Sequence, residues 1–271
     1  MSESVPEGGR VGPALLALAL FVTWGGIAPV YAEAEHLRAP WGITHWVNLE
    51  WMLGPLAVGV ATVLYLGSLG LFALRGGHAG AATVAFGVLF LYAHVEVSLN
   101  EGADNVMHGK FLPGGALLGW LIGSWSTRLQ DRRLGAKRGV ELAAGVAAGL
   151  YLWAAMIKLL SSGADWSRTV NLPLLVLERS YTSEGAVSAL RRFIGLRPWL
   201  GSVLAYGALS VEFAGVSMLW PRYRRIFATT AMIMHLCIGV LMGYWYVEWW
   251  ITLWAIAVWT RELQPPAANT A

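Results

Sequence analysis

The sequence predicts an all-α fold, a polytopic integral membrane bundle of about eight spanning helices. Three observations predict it. Charged residues make up only 13% of the 271, about half the roughly 25% that a water-facing domain carries. Apolar runs of spanning length recur from one end of the chain to the other. The basic residues gather in short segments between alternate runs. The mean hydropathy of +0.55 agrees with this, as do 32 Gly, common in membrane helices, and 15 Trp, which favour the headgroup belt.

The runs are taken in order. Arg10 precedes an apolar stretch from Val11 to Tyr31. That stretch exceeds the ~7–15 residues of a secretory h-region, and Glu3 and Glu7 make its leader acidic. It reads as an uncleaved first span, although Val30-Tyr31-Ala32 loosely resembles a peptidase site. Further runs cover 50–74, 80–99, 139–160 and 198–220, each near the ~20 residues that cross a hydrocarbon core. A shorter run from Phe111 to Trp125 carries Pro113 and a glycine pair. The stretch from Ile226 to Trp259 is too long for one span and divides at Gly243-Tyr244-Trp245-Tyr246-Val247-Glu248. These make a single transmembrane domain over 1–263, with a disordered tail at 264–271.

Charge asymmetry orients the bundle. With this division Arg10, Arg75, Arg128, Arg132, Arg133, Lys137, Arg138, Arg222, Arg224, Arg225 and Arg261 fall on one side, in short segments. The positive-inside rule makes that side cytoplasmic, together with both termini, in the cell membrane. The other side holds seven Lys/Arg, five of them in one long loop where the rule is weak. That loop, Ser161 to Arg197, alternates apolar and charged residues from Val170 to Arg192, and Asn171-Leu172-Pro173 suits a helix start. A helix along the outer interface is expected there.

The net charge of +3 does not point to nucleic acid, because the basic residues are an orientation signal and form no continuous patch. The partner is the lipid bilayer, and nothing names a protein partner. The lone Cys237 excludes an internal disulfide and any CxxC redox pair.

A charge at the centre of a spanning helix costs roughly 2.5–3.5 kcal/mol, so those that persist are functional candidates. Five positions qualify: His94 and Glu96 in the third span, Lys158 in the fifth, Glu212 in the sixth and His235 in the seventh. The polar segment from Leu99 to Lys110, with Asn105 and His108, lies above the outer ends of these helices. A polar pocket opening outward is the economical reading. Each residue also has a plain structural use. Lys158 can snorkel to the interface, His235 can hydrogen-bond a neighbouring helix, Glu212 can pair with an arginine, and Asp104 can cap the next helix. His94, Glu101, Asp104 and His108 offer metal-ligand chemistry but lack HxxxH or HExxH spacing, so no metal site is assigned.

From Ala148 onward the order of features carries a resemblance. A lone Lys158 stands at the outer end of an apolar helix, and Ser161-Ser162-Gly163-Ala164-Asp165-Trp166 follows at once. A later span carries Glu212 and ends in Trp220-Pro221-Arg222-Tyr223-Arg224-Arg225, and the next carries His235-Leu236 midway. This resembles the horizontally transferred transmembrane (HTTM) domain, the membrane part shared with vitamin K-dependent gamma-carboxylases, over 148–259 and more weakly over 80–125. The resemblance implies that Lys158 is a base acting on a reduced quinone, with His235 or His108 assisting. Around a substrate at that base, His94, Asn105, Trp166 and Glu212 are expected to line the pocket. The family's Asn-His pair is adjacent, whereas Asn105 and His108 stand three apart. The carboxylases also carry a large lumenal region, and only a short tail follows the last run here, so carboxylation of a protein partner is not expected. A lysine in a low-dielectric setting gives up its proton more readily than one in water, as a base role requires.

Three functions compete at this level. The first is a membrane enzyme of quinone-linked or lipid-linked chemistry at the outer face. The second is a non-catalytic assembly or maturation component in which the same residues pack helices. The third is a proton-coupled transporter relaying through Glu212 and His235; no inverted repeat or matched pair of broken helices accompanies them.

Overall fold

The computed structural model describes residues 10–34, 36–37, 42–99, 108–127, 132–163 and 172–264. Among the described residues there is no β-strand. The described residues form ten α-helices: α1 (Val11–Glu33), α2 (Pro55–Leu74), α3 (Ala79–Leu99), α4 (His108–Thr127), α5 (Arg132–Ser162), α6 (Leu172–Tyr181), α7 (Gly185–Gly195), α8 (Pro198–Ala214), α9 (Arg224–Met242) and α10 (Val247–Glu262). A helix therefore stands at each apolar run read from the sequence. Among the described residues five segments are long and apolar enough to cross a membrane: Val11–Glu33, Pro55–Leu74, Arg133–Ser161, Pro198–Leu219 and Pro221–Met242. The protein is an all-helical membrane protein.

The contacts divide into two compact units, Met1–Val146 with Val247–Ala271, and Ala147–Tyr246. In the first unit α1 packs on α10 and α2, α2 on α3, and α4 on α3 and α10. The carboxylate of Glu262 accepts the Val11 and Gly12 N–H groups, both at 3.1 Å. An acidic side chain at a helix N-terminus satisfies donors that have no intrahelical partner and complements the helix dipole. The last helix thereby caps the first. α1 runs unbroken through Val30-Tyr31-Ala32, and Tyr31 is fully buried against Tyr92, with ring centroids 4.9 Å apart.

Tryptophan does more here than mark headgroups. Trp24, Trp120 and Trp259 are each only 2% exposed. Trp120 stacks on Trp259 at 5.6 Å and receives Phe72 edge-on at 5.2 Å. A buried polar aromatic needs a partner for its N–H or O–H, and Trp24 donates to Thr62 (2.9 Å), Tyr65 to the Leu20 carbonyl (3.2 Å) and Tyr92 to that of Met52 (2.8 Å).

Two basic segments differ from the sequence reading. Arg132, Arg133, Lys137 and Arg138 are not loop residues; they form the first turns of α5, since Lys and Arg are good helix formers and the helix can extend beyond the hydrocarbon. Arg224 is not a solvent-facing charge either. It is 2% exposed, and its Nε donates to the Met218 carbonyl at 2.8 Å, closing a 3-10 turn over Gly215–Leu219.

In the second unit the predicted interfacial helix is two helices. α6 begins at Leu172, with Pro173 in its first turn, where a missing N–H costs nothing. It ends at Tyr181, and the chain turns back through Gly185, whose φ of +63° is open to glycine. Arg191 of α7 holds the hairpin in place. It is 8% exposed, and its guanidinium donates to the Arg179 carbonyl at the end of α6 and to the Val240 carbonyl at the end of α9, both at 2.9 Å. One rigid fork thus satisfies two helix C-termini. Arg191→Lys is expected to lose about 2 kcal/mol, because one ammonium replaces a fork aimed at two acceptors. Limited proteolysis within 182–185 reads this out, and unchanged protease resistance would remove the staple role. α9 stops at Gly243, which takes φ +80° and donates its N–H back to the Gly239 carbonyl at 2.9 Å. The expected break between the last two apolar helices lies at this glycine cap.

Candidate functional site

The site is built from three helices of the second unit. Tyr151 and Lys158 are seven residues apart on α5, two turns along one face. Glu212 lies near the end of α8 and His235 in the middle of α9. Gly215 lets these elements meet, since a Cβ there would overlap the Cβ of Tyr151. The 3-10 turn that follows α8 can therefore press directly on α5.

Two polar pairs result. Lys158 Nζ forms an ion pair and hydrogen bond with Glu212 Oε1. The Lys158 side chain is 27% exposed and that of Glu212 10%. Glu212 Oε2 is buried and has no hydrogen-bond partner among the described residues. About two turns of α9 before its glycine cap, the Tyr151 hydroxyl and His235 Nε2 share a hydrogen bond of 2.8 Å, whose donor is set by the histidine tautomer. Phe227 meets the Tyr151 ring edge-on at 5.1 Å, and Tyr246 leans on the His235 ring at 5.2 Å. Tyr151 is 1% and His235 5% exposed.

The physical reason for the pairing is the medium. A lone ammonium or carboxylate in an apolar bundle pays a large desolvation cost, and a contact pair with zero net charge pays far less. The same arrangement also lets a proton pass between amine and carboxylate without creating net charge.

Lys158, Glu212 and His235 are thus drawn into one unit, with the Lys158 ammonium against Glu212. The cation that Glu212 pairs with is a lysine, Lys158. His94 lies in the first unit, half-buried, with its ring edge-on to Phe90 at 4.6 Å. Asn105, Trp166, Glu101 and Asp104 lie outside the described residues, as do the side chains of Glu96 and His108. Tyr151 and Tyr246 were not singled out from the sequence. The signal for Tyr151 was present, a polar-tipped residue exactly two turns before Lys158 on one apolar helix.

No protein family, curated protein or solved structure matches this chain. The site is therefore read from its own chemistry.

Proposed function

We propose that the protein is a membrane enzyme that uses the Lys158–Glu212 pair as a base on an apolar, acidic-hydroxyl substrate, a reduced quinone or a lipid-linked group. The observation that supports this is the ion pair itself, held among apolar helices with one carboxylate oxygen of Glu212 left over. A proton passing from the ammonium to the carboxylate leaves a neutral amine, which accepts a proton from the substrate hydroxyl. Glu212 Oε2 suits an incoming O–H donor. A quinol supplies a hydroxyl acidic enough for this exchange. Tyr151 and His235 hold the adjoining faces of α5 and α9 together and keep water out. The HTTM-like order of features around Lys158 supports the same role, and we extend it to the whole bundle: eight spans, both termini cytoplasmic, the site toward the outer face of the cell membrane.

Two measurements test this. Single cysteines in a Cys237-free background are expected to label from outside at Asp104 and Ser183, and only from inside at Asp131 and Tyr223. Outside labelling at Asp131 would overturn the orientation and the outward site together. Lipid extraction of the purified protein is expected to yield a co-purifying quinone. Lys158→Arg keeps charge and pairing but gives up no proton, because guanidinium stays protonated above about pH 12. It is expected to insert normally and to fail to complement a deletion strain. The competing reading is a non-catalytic assembly component, favoured by the mutual neutralisation of Lys158 and Glu212. It predicts full complementation by the Arg variant and no bound quinone.

A further inference from the structure

The α6–α7 hairpin buries polar groups and turns apolar ones outward. Ser180, Ser188 and Arg191 are buried on its inner side beside Val176 and Ile194. Leu174, Leu175, Val187, Leu190, Phe193 and Leu196 face out and are between 38% and 68% exposed. A hairpin facing water would carry its polar residues there. The arginines that do face out lie against aromatic rings. Arg179 sits over Tyr244 at 5.5 Å and donates to its hydroxyl at 3.2 Å. Arg192 sits over Tyr181 at 5.7 Å, and Arg197 over Phe193 at 3.8 Å.

A ring behind a guanidinium occupies its face and leaves N–H groups along its edge; Arg179 gives one of these to the Tyr244 hydroxyl and Arg197 one to the Phe193 carbonyl at 2.8 Å, and the others can donate to a phosphate. Glu178 and Glu184 are the only acids between Leu172 and Arg197 against four arginines, which leaves a net charge of +2. Continuity fixes what lies nearby. Arg197 runs straight into Pro198, where a segment long and apolar enough to cross a membrane begins. The hairpin is therefore joined without a linker to a membrane boundary, and its outward face has the composition of an acyl-chain and headgroup layer.

We propose that the α6–α7 hairpin lies in the interfacial layer at the start of α8 and binds anionic phospholipid through Arg179, Arg192 and Arg197. The apolar face sinks to the top of the acyl chains, and the ring-backed guanidiniums take lipid phosphates. This is independent of any chemistry at Lys158.

The test uses the full-length chain in vesicles of phosphatidylcholine with phosphatidylglycerol. After mild delipidation, native mass spectrometry is expected to find phosphatidylglycerol retained over phosphatidylcholine. Replacing Arg179, Arg192 and Arg197 by Gln in turn is expected to lower that retention about fivefold for each, the order expected of one basic residue at an anionic surface. Added inorganic phosphate is expected not to displace the lipid; displacement would show a free-anion site and overturn the proposal. A nitroxide at Leu190 in a Cys237→Ser protein is expected to be reached by oxygen and shielded from an aqueous paramagnetic reagent, and this arm keeps the native arginines and the rings behind them. An aqueous-accessible label, a spin–spin contact to a second copy, or lipid retention unchanged by the Arg179, Arg192 and Arg197 replacements would each overturn it.

Discussion

Lys158→Met is expected to destabilise the protein by about 3 kcal/mol, at the low end for breaking a buried pair because the lysine is 27% exposed. The loss comes from the partner left behind. Glu212, with a side chain 10% exposed, would hold a carboxylate with neither countercharge nor hydrogen bond on either oxygen. Glu212→Gln should cost less, since the long lysine stem can carry its ammonium out toward headgroups once released. The double variant Lys158→Met with Glu212→Gln should recover most of the loss, because no charge remains to be orphaned. Unfolding of the detergent-solubilised protein measures all three. Additive losses in the double variant would show that the two side chains contribute separately, and the pair would lose its place as a coupled unit.

Gly123→Leu is expected to prevent assembly of the first unit. Gly119 and Gly123, four apart on α4, face the backbone of α5. A Cβ at Gly123 would lie 2.5 Å from the Arg138 carbonyl carbon and the Gly139 nitrogen, and one at Gly119 would lie 2.9 Å from the Ala143 nitrogen. Reciprocally, a Cβ at Gly139 would come 2.8 Å from Trp120. Close approach through small residues at this spacing is the usual way apolar helices gain packing without a hydrophobic drive. The obstacle is backbone, which cannot rotate aside. Even Gly123→Ala should therefore cost about 1–3 kcal/mol by overpacking. Gly145→Ala on α5 is the control, since a Cβ there meets nothing within 4 Å, and it should be neutral or stabilising by up to about 1 kcal/mol. Equal behaviour of Gly123→Ala and Gly145→Ala in a thermal-unfolding assay would remove the crossing as a determinant.

Much of this was legible in advance because membrane helices declare themselves by composition. The runs at 11–31, 80–99 and 198–220 each became a helix, since a peptide in hydrocarbon must satisfy its backbone internally. The break at Gly243 was legible because glycine takes at little cost the left-handed conformation that stops α9 there. The candidate residues Lys158, Glu212 and His235 stood out because charge inside an apolar run needs a reason. Gly119 and Gly123 stand four apart in the apolar run of α4, but only the structure shows that both face the backbone of α5. The hairpin of α6 and α7 was harder to read, because Ser180, Ser188 and Arg191 lie on its buried side while leucines face out, so residue pattern alone does not tell which face turns inward.

By itself the sequence determined the class, the medium and the positions of the apolar helices, because hydropathy and run length act locally along the chain. It also narrowed the chemistry to a handful of ionisable residues. Only the tertiary structure decided the partners. Lys158 and Glu212 are 54 residues apart, Tyr151 and His235 84, and Gly12 and Glu262 250. No local rule selects such pairs. They are chosen by which helix faces meet, and that rests on small residues such as Gly215 and Gly123, whose missing side chains set how closely two backbones can approach.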